Sequence, residues 1–337
     1  LRWMEKVERQ ESGKPDAAPA QEPVWRDYAS IGSVRADKSA IERHIQAVLD
    51  HPLIDRDLIA GRGFRVAVDA VNGAGSEAIP QLLQALGATC LPLHCTPDGR
   101  FPHNPEPLPE HLHEIRAFVA QTGADLGVVT DPDADRLALV DEKGRLWGEE
   151  YTQAAAFDFV LGKRPGDVAT NLSSSRVVDD VAARYGVVCH RSAVGEINVV
   201  GKMKQVGAVI GGEGNGGVID PELHYGRDSL IGTAMVLQLL AERGVSASDY
   251  RQGLPDYVMS KQKQSLDALG ADADTFLADV ERRFSHMEPD TTDGVRIDFE
   301  EGWVHMRKSN TEPIVRFYSE ARDASTAEAL IDRVLER

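Results

Sequence analysis

Cysteine is scarce in this sequence. The chain has three cysteines, Cys90, Cys95 and Cys189, which is an odd number without C-x-x-C spacing. A disulfide framework and a zinc knuckle both require paired or closely spaced cysteines. The sequence supports neither kind of site, and we expect three reduced thiols.

Positive charge and long apolar runs are lacking as well. Lysine and arginine total 37 against 54 aspartate and glutamate residues, which gives a net charge of −17. This balance disfavours nucleic acid and anionic membranes as partners, because both are negatively charged. No apolar stretch approaches a membrane span, and the first residues lack the apolar centre of a signal peptide. We expect a cytoplasmic globular protein, and the sequence leaves its oligomeric state open.

What the chain does contain is DPDADR at residues 131–136, three alternating carboxylates followed by an arginine. Carboxylates in one tight loop can surround a hard divalent cation, and an oxygen-only ligand set favours Mg²⁺ over zinc. A solvated acidic turn is the simpler interpretation of such a run. The apolar flanks VVT and LALV oppose it, because they predict strands that carry the loop at the edge of a sheet.

Strands and helices alternate along most of the chain, as in α/β proteins with largely parallel, doubly wound sheets. The predicted strands are FRVAVDAV, TCLPLH, the segment before the aspartate loop, DVATNL, VVCHRS and AVIGGE. The predicted helices lie near 38–53, 76–86, 108–121, 175–185, 196–206 and 228–243, with one more from about residue 150.

The C-terminal part changes character. GVRIDF, WVHMRK and IVRFYSEA predict antiparallel strands beside two helices. The predicted fold class is therefore α/β, with two doubly wound α/β/α domains in series followed by a small α+β domain. The predicted boundaries are 1–57 for the end of a preceding domain and its linker, then 58–148, 149–252 and 253–337.

Two further loops carry polar side chains where a strand is predicted to end. AVIGGEGNGGV contains Glu213 and Asn215 among glycines that let the backbone approach a ligand closely. RKSNTEP begins at Arg307, and Arg316 follows it; arginines, hydroxyls and turn amides together suit a phosphate. Each loop also has a structural interpretation, as a glycine-rich turn and as a polar hairpin turn.

In this order, the three loops resemble those of the α-D-phosphohexomutase superfamily, which includes phosphoglucomutases, phosphomannomutases and phosphoglucosamine mutases. VDAVNGAGS is similar to the opening of the family's second domain, and NPEPLPEHLHEI to the approach to its metal loop. DPDADR resembles the metal-binding signature, GGEGNGG the sugar-selecting loop and RKSNTEPIVR the phosphate-binding loop of the fourth domain. The resemblance covers nearly the whole chain. It implies an isomerase that moves phosphate between the 1 and 6 positions of a hexose through a bisphosphorylated intermediate.

The resemblance also implies roles for individual residues and Mg²⁺ as cofactor. Asp131, Asp133 and Asp135 would bind Mg²⁺, and Arg136 would be the catalytic residue beside the transferring phosphoryl group. The substrate-binding residues would be Gly195, Glu196, Glu213 and Asn215 at the sugar, and Arg307, Ser309, Asn310, Thr311 and Arg316 at the non-reacting phosphate.

The identity of the sugar stays open between glucose, mannose and glucosamine. Val194-Gly195-Glu196 is closer to the phosphoglucosamine-type and archaeal-like branch of the superfamily. Asn310 is closer to the phosphomannomutase/phosphoglucomutase branch. The two segments therefore favour different sugars.

One part of the family pattern has no counterpart in the sequence. The family carries a phosphoserine in a T-x-S-H-N-P-like loop of its first domain, which donates and regains the phosphoryl group. PHNP at 102–105 has proline in place of the serine, and Ser285 lies in the last domain. The serines at 173–175 precede a predicted helix, where serine is favoured as an N-cap. We therefore expect the first domain to be missing, LRWMEKVERQ to be its final helix, and this chain to be inactive alone.

Two other classes of protein remain open. A haloacid-dehalogenase-type phosphatase also uses D-x-D, but its aspartate loop leads into a helical crossover. Here LALVDEKGRL predicts a strand and a turn after the loop. A non-catalytic protein that binds sugar phosphates is the stronger alternative, because no nucleophilic serine is identified.

Overall fold

The computed structural model describes residues 27–30, 32–309 and 312–336. The chain divides into two units, residues 1–40 and residues 41–337. In the first unit, a 3₁₀ turn at Tyr28–Ser30 is followed by residues 32–39, which form neither helix nor strand. The candidate site residues named above all belong to the second unit.

The first sheet of the second unit carries the aspartate loop. Its surrounding elements are α1 (Ala40–Leu49), α2 (Arg56–Arg62), β1 (Arg65–Asp69), α3 (Gly75–Ala85), β2 (Thr89–His94), α4 (His113–Thr122), β3 (Leu126–Thr130) and β4 (Leu137–Asp141). The strand order is β2-β1-β3-β4, in which β1, β2 and β3 are parallel and β4 is antiparallel to β3. Val66 and Val68 pack into one apolar cluster and Ala67 into another, so both faces of β1 are covered.

Two of the predicted helices in this region are shorter than expected. The helix predicted at 38–53 ends at Leu49, ahead of Pro52, because a residue before proline is disfavoured in helical conformation. The helix predicted at 108–121 begins at His113, after a 3₁₀ turn at Pro109–His111. Helix α2 was not predicted, since its short sequence RDLIAGR shows little periodicity.

The second sheet carries the glycine-rich loop. Its surrounding elements are α5 (Glu149–Lys163), β5 (Val168–Asn171), α6 (Val177–Arg184), β6 (Cys189–Ser192), α7 (Glu196–Val206), β7 (Ile210–Glu213), β8 (Gly217–Ile219), α8 (Ser229–Arg243) and α9 (Ala247–Gln252). The strand order is β6-β5-β7-β8, and β8 is antiparallel to β7 while the others are parallel.

Helices α5 and α8 join the first two sheets. Residues 151–161 of α5 and 229–241 of α8 are buried on every side. One apolar cluster contains side chains of both sheets, such as Val66 and Val168, together with these helices. A shared core of this kind holds the two loop-bearing edges in a fixed relation, because protein interiors are close-packed.

The third sheet is antiparallel and carries the arginine loop. Its elements are β9 (Val258–Ser265), α10 (Leu266–Leu269), α11 (Ala273–Arg283), β10 (Val295–Asp298), β11 (Gly302–Lys308), β12 (Ile314–Ala321) and α12 (Ala324–Leu335). The order is β10-β11-β12-β9, and an apolar cluster of its own lies between this sheet and the helices. Strand β9 was not predicted, because VMSKQKQS is polar and has no buried residue.

The predicted fold class is confirmed: two α/β/α regions are followed by a small α+β region. Each of the first two sheets has three parallel strands and one antiparallel edge strand. Among the helices of the described residues, none combines the length and apolar character needed to cross a membrane.

Candidate active site

The aspartate loop is the turn between β3 and β4. Ala134 has a positive φ of 60°, and its N–H donates to the carbonyl of Asp131 at 3.1 Å. This tight turn brings one carboxylate oxygen from each of Asp131, Asp133 and Asp135 within 4.8 Å of the others. Oxygen ligands gathered in this way suit a hard divalent cation.

The electrostatics of the loop also fit a cation. Burial raises the pKa of Asp131 to about 7, and the charges of Asp135 and Asp133 add to the shift, although the Arg136 amide opposes it. Within the described chain, Oδ1 of Asp135 is buried and has no hydrogen-bond partner. A crowded, partly unsatisfied set of carboxylates is the arrangement that Mg²⁺ would neutralise.

The turn after β1 packs directly against the aspartate loop. The Ala74 N–H donates to the carbonyl of Pro132 at 2.8 Å. A Cβ atom on Gly73 would lie 2.5 Å from the same carbonyl oxygen, so a larger residue would push the loop away. This turn, which belongs to the segment VDAVNGAGS, therefore positions the aspartate loop by close backbone contact.

Arg136 points from the aspartate loop toward open space. Its Nε lies 3.4 Å from Oδ2 of Asp131, and one terminal nitrogen lies 3.5 Å from Oε1 of Glu106. The side chain is 28% exposed, so it faces the cleft and is held by acidic neighbours at its base. An arginine fork in this position can hold an anion that approaches the metal loop.

Glu213 ends β7 and is 4% exposed. Its Oε1 accepts hydrogen bonds from Asn171 Nδ2 at 2.8 Å and from the Gly195 N–H at 3.0 Å, and its Oε2 pairs with Arg227 at 2.8 Å. An ionised carboxylate offers about four lone-pair positions. These three contacts fix the side chain and leave acceptor capacity for a sugar hydroxyl.

Arg227 is a member of the site that the sequence did not indicate. Its guanidinium pairs with Asp135, with Glu213 and, at 3.0 Å, with Oε2 of Glu196. Burial by itself would lower the pKa of Arg227, but the charges of these three carboxylates outweigh it and raise the pKa. Arg227 thus joins the metal loop, the glycine-rich loop and the start of α7.

The third sheet contributes a row of cations. Arg307 on β11 pairs in register with Arg316 on β12, which pairs with Lys263 on β9. Side chains of paired residues lie on the same face of a sheet. Lys261, two residues from Lys263 on β9, lies on the same face. Nε of Arg307 is buried without a hydrogen-bond partner in the part of the chain that the structure describes.

The structure describes only some of the other predicted residues of the arginine loop. The Ser309 N–H donates to the carbonyl of Ile314 at 3.0 Å and closes the turn. Glu312 pairs with Arg316 at 3.1 Å. Asn310 and Thr311 lie outside the described residues.

One cleft of about 490 Å³ brings the three loops together. The aspartate loop contributes Arg136 to the cleft, and the glycine-rich loop contributes Glu213 and Asn215. The third sheet contributes Arg307 and Arg316. Other side chains at the cleft include Glu106, Glu149, Glu150, Asn171, Ser173, Val194, Lys261, Lys263 and Tyr318. The predicted residues Gly195 and Glu196 contact Glu213 and Arg227, respectively, and fix these two side chains.

Three family models match the chain in series. They describe domain II (α/β/α) of phosphoglucomutase/phosphomannomutase at residues 42–144, domain III (α/β/α) at 148–257 and the C-terminal domain at 259–337. The three matches cover nearly all of the second unit.

Individual relatives agree with this assignment. A Methanopyrus kandleri protein named "Probable phosphoglucosamine mutase" is 34% identical over 317 residues, 93% of this chain and 68% of the relative. A Thermococcus kodakarensis phosphoglucomutase/phosphomannomutase is 36% identical over 307 residues, 90% of this chain and 66% of the relative.

A crystal structure of a phosphoglucomutase/phosphomannomutase family protein from Burkholderia thailandensis matches with a TM-score of 0.76. It is 27% identical, and the match covers 88% of this chain and 64% of that one. The chain thus spans about two thirds of the length of these relatives. It belongs to the phosphoglucomutase/phosphomannomutase family of the α-D-phosphohexomutase superfamily.

Proposed function

We propose that the protein, as part of the complete enzyme, is a Mg²⁺-dependent phosphohexomutase. It would transfer a phosphoryl group between the 1 and 6 positions of a hexose phosphate. The observation that carries this proposal is one cleft, which is lined at one end by Arg136, the residue that directly follows the three aspartates, and at the other by a row of cations. With Mg²⁺ bound at the aspartate loop, each end of the cleft would present cations to a phosphate of the hexose.

The metal loop is the reacting end in this proposal. Asp131, Asp133 and Asp135 would hold Mg²⁺, which neutralises charge on a phosphoryl group in transfer. Arg136 faces the cleft beside them, so its guanidinium would bind oxygens of the same phosphoryl group. Positioning and charge stabilisation supply most of the rate enhancement in phosphoryl transfer.

The cation row is the binding end. Arg307, Arg316 and Lys263 would hold the phosphate that does not react, and Ser309 would contribute at the turn beside them. Glu213 and Asn215 would accept hydrogen bonds from sugar hydroxyls between the two ends. After the first transfer, a bisphosphorylated hexose would turn around and present its other phosphate to the metal loop.

We also propose that this chain binds hexose phosphate without turning it over. The printed sequence has no T-x-S-H-N-P-like loop to donate the phosphoryl group. The same observation supports the second candidate, a non-catalytic sugar-phosphate-binding protein. A chimera that carries the first domain of the Methanopyrus kandleri relative ahead of residue 41 distinguishes the two candidates. Conversion of a hexose 1-phosphate by the chimera supports the mutase, whereas intact binding without conversion supports the binding protein.

Calorimetric titration of this chain with MgCl₂, and then with glucose 6-phosphate, tests the proposed cleft. Asp133→Asn is expected to weaken Mg²⁺ binding by on the order of 100-fold, because one charged ligand is lost. Asp57→Asn, on the exposed first turn of α2, is the matched control and is expected to bind Mg²⁺ normally. Equal Mg²⁺ affinity in wild type and Asp133→Asn would reject the metal assignment.

The preferred sugar is tested in the same way. The relatives carry different names, phosphoglucosamine mutase and phosphoglucomutase/phosphomannomutase, and each name applies to that relative. We propose a glucosamine, glucose or mannose phosphate as the ligand. Parallel titrations with the three 6-phosphates rank them directly.

A further inference from the structure

A second group of possible metal ligands lies at the ends of β1 and β2 and shares no residue with the aspartate loop. One carboxylate oxygen of Asp69 and one ring nitrogen each of His94 and His103 lie within 4.8 Å of one another. Asp69 ends β1, His94 ends β2, and His103 lies in the loop that follows β2. The proposed mutase mechanism uses none of these three side chains.

Asp69 is a buried carboxylate with few polar partners. It is 1% exposed, and its Oδ1 accepts the Val71 N–H at 3.0 Å. Within the described residues, its ion-pair partner is His103, whose Nε2 lies 2.9 Å from Oδ2. The pairing of β1 with β2 shifts in register between Val68 and Asp69, so that Asp69 lies opposite His94. A buried carboxylate requires a positive charge beside it.

The hydrogen bonds of His103 leave its facing nitrogen without a proton in the neutral ring. Its Nδ1 lies 2.8 Å from the backbone carbonyl of Asn104, and a carbonyl only accepts, so Nδ1 carries the proton. In the neutral ring, Nε2 is then a lone pair that faces the Asp69 carboxylate. Two lone pairs 2.9 Å apart repel each other unless the ring takes up a second proton or a metal cation lies between them.

His94 has a similar arrangement. Its Nε2 lies 3.2 Å from Oε2 of Glu114, which accepts that N–H and leaves Nδ1 unprotonated in the neutral ring. A histidine that donates one ring N–H to a carboxylate or a backbone carbonyl while the other nitrogen binds a metal is the usual arrangement in metal sites. Both histidines of this group have such an outer partner.

A second His/His/Asp group in the molecule does not have this property. Nε2 of His44 and Nε2 of His224 lie 2.8 and 3.1 Å from Oδ2 of Asp228. Neither ring has a hydrogen bond at Nδ1 within the part of the chain that the structure describes, so both neutral rings can donate from Nε2 to the carboxylate. Neutral rings therefore satisfy the group at Asp228, whereas at Asp69 hydrogen bonding alone would require a protonated His103 ring.

We propose that Asp69, His94 and His103 bind a zinc-class divalent cation, separate from the Mg²⁺ site. Two imidazoles and a carboxylate are a typical set of three protein ligands for Zn²⁺, with a water as fourth ligand. Ligands about 2.0–2.2 Å from a tetrahedral zinc lie about 3.3–3.5 Å apart, so the 2.9 Å contact need open only slightly.

The cation would order the loop that reaches the cleft. Residues 95–108 form neither helix nor strand, and His103 lies in the middle of this segment. Its continuation places Glu106 at the cleft, 3.5 Å from Arg136. A metal bound by two strand ends and by His103 would reduce the freedom of a long loop, which is otherwise entropically costly to order.

Zinc titration of chelator-treated protein tests this site, with excess Mg²⁺ present to saturate the aspartate loop. We expect one equivalent of Zn²⁺ to bind, Co²⁺ to give the absorption of a tetrahedral N/O site, and zinc to raise the Tm. His103→Asn is expected to weaken Zn²⁺ binding by about 100-fold or more and to abolish the Tm shift. The matched control is His44→Asn in the group at Asp228, which should leave the Zn²⁺ affinity and the zinc-dependent Tm shift unchanged.

Three results would overturn the proposal. Wild-type protein that binds no Zn²⁺ would show that a protonated His103 pairs with Asp69 instead. Zn²⁺ binding that survives in His103→Asn, or that is lost in His44→Asn, would place the ion elsewhere. Asp133→Asn does not affect the test, because its Zn²⁺ affinity should equal that of wild type even if the mutase proposal fails.

Discussion

The two ends of the cleft are built in opposite ways. At the metal end, three carboxylates converge on a partly buried turn, and burial raises the pKa of Asp131 to about 7. At the phosphate end, Arg307, Arg316 and Lys263 line one face of an antiparallel sheet and are partly or fully exposed. The first end crowds like charges in one turn, whereas the second distributes its cations along a sheet face, where Nε of Arg307 is buried without a hydrogen-bond partner among the described residues.

The two ends also rest on different cores. The metal loop and the glycine-rich loop lie on sheets that share one apolar cluster, so their geometry is fixed together. The cation row lies on a sheet with its own apolar cluster. We propose that ligand binding at the metal end depends on overcoming repulsion between carboxylates, and at the phosphate end on adding charge-assisted hydrogen bonds.

The largest expected effect is at the metal end, where Asp131→Asn should stabilise the metal-free protein at pH 8. The pKa of Asp131 is raised in the folded state, so the folded protein holds the carboxyl proton more tightly than the unfolded chain does. In wild type, the free energy of unfolding therefore falls as the pH rises from 3.8 to about 7. The stability gap between variant and wild type should grow by on the order of 3 kcal/mol between pH 5 and pH 8.

Denaturant unfolding in EDTA at the two pH values measures this gap. Titrating groups that do not interact with Asp131 are common to both proteins and cancel in the difference, and Asp133 and Asp135 form part of the same electrostatic test. The variant should also fail to bind Mg²⁺, since one ligand is lost. A gap that is the same at both pH values would contradict the electrostatic description of the metal end.

At the phosphate end, Arg307→Ala should weaken binding of glucose 6-phosphate by about 10- to 100-fold, because a charge-assisted hydrogen bond contributes roughly 1.5–3 kcal/mol. Mg²⁺ affinity should not change. Calorimetry with each ligand makes the comparison. Arg282→Ala, which removes a 78% exposed arginine of α11, is the control and should bind both ligands normally. Weaker Mg²⁺ binding in Arg307→Ala would show that the two ends are not independent.

The smallest expected effect concerns Arg227, which links the metal end to the sugar loop. Arg227→Gln removes a cation that pairs with Asp135, so Mg²⁺ should bind about two- to fivefold more tightly, equivalent to roughly 0.5–1 kcal/mol. Arg227→Lys keeps the charge and should stay near wild type. Magnesium titrations of the three proteins give the answer, and weaker binding in the glutamine variant would assign Arg227 a supporting role instead.

The parts of the site that are local in sequence could be predicted. The DPDADR turn brings its own three carboxylates together, and its apolar flanks predict the two strands on either side. The glycines before Asn215 and the arginine loop likewise mark strand ends. In each case neighbouring residues determine the local geometry, so the sequence carries the information.

The parts that depend on tertiary pairing could not be predicted. Lys261 and Lys263 join the cation row only because β9 pairs with β12, and the polar sequence of β9 has no apolar alternation. Arg227 contacts three carboxylates from distant segments, and nothing in HYGRDS indicates them. The nearest local signal was Asp228, which caps α8 and fixes the backbone beside Arg227.

We propose that one cleft holds a metal at the aspartate loop and a phosphate at the cation row. A crystal structure of this chain with Mn²⁺ and glucose 1,6-bisphosphate tests it directly, because Mn²⁺ takes similar oxygen ligands and scatters anomalously. We predict an anomalous peak between Asp131, Asp133 and Asp135, and a phosphate at Arg307 and Arg316. A metal peak away from the aspartate loop, or a bisphosphate bound outside the cleft, would contradict the account.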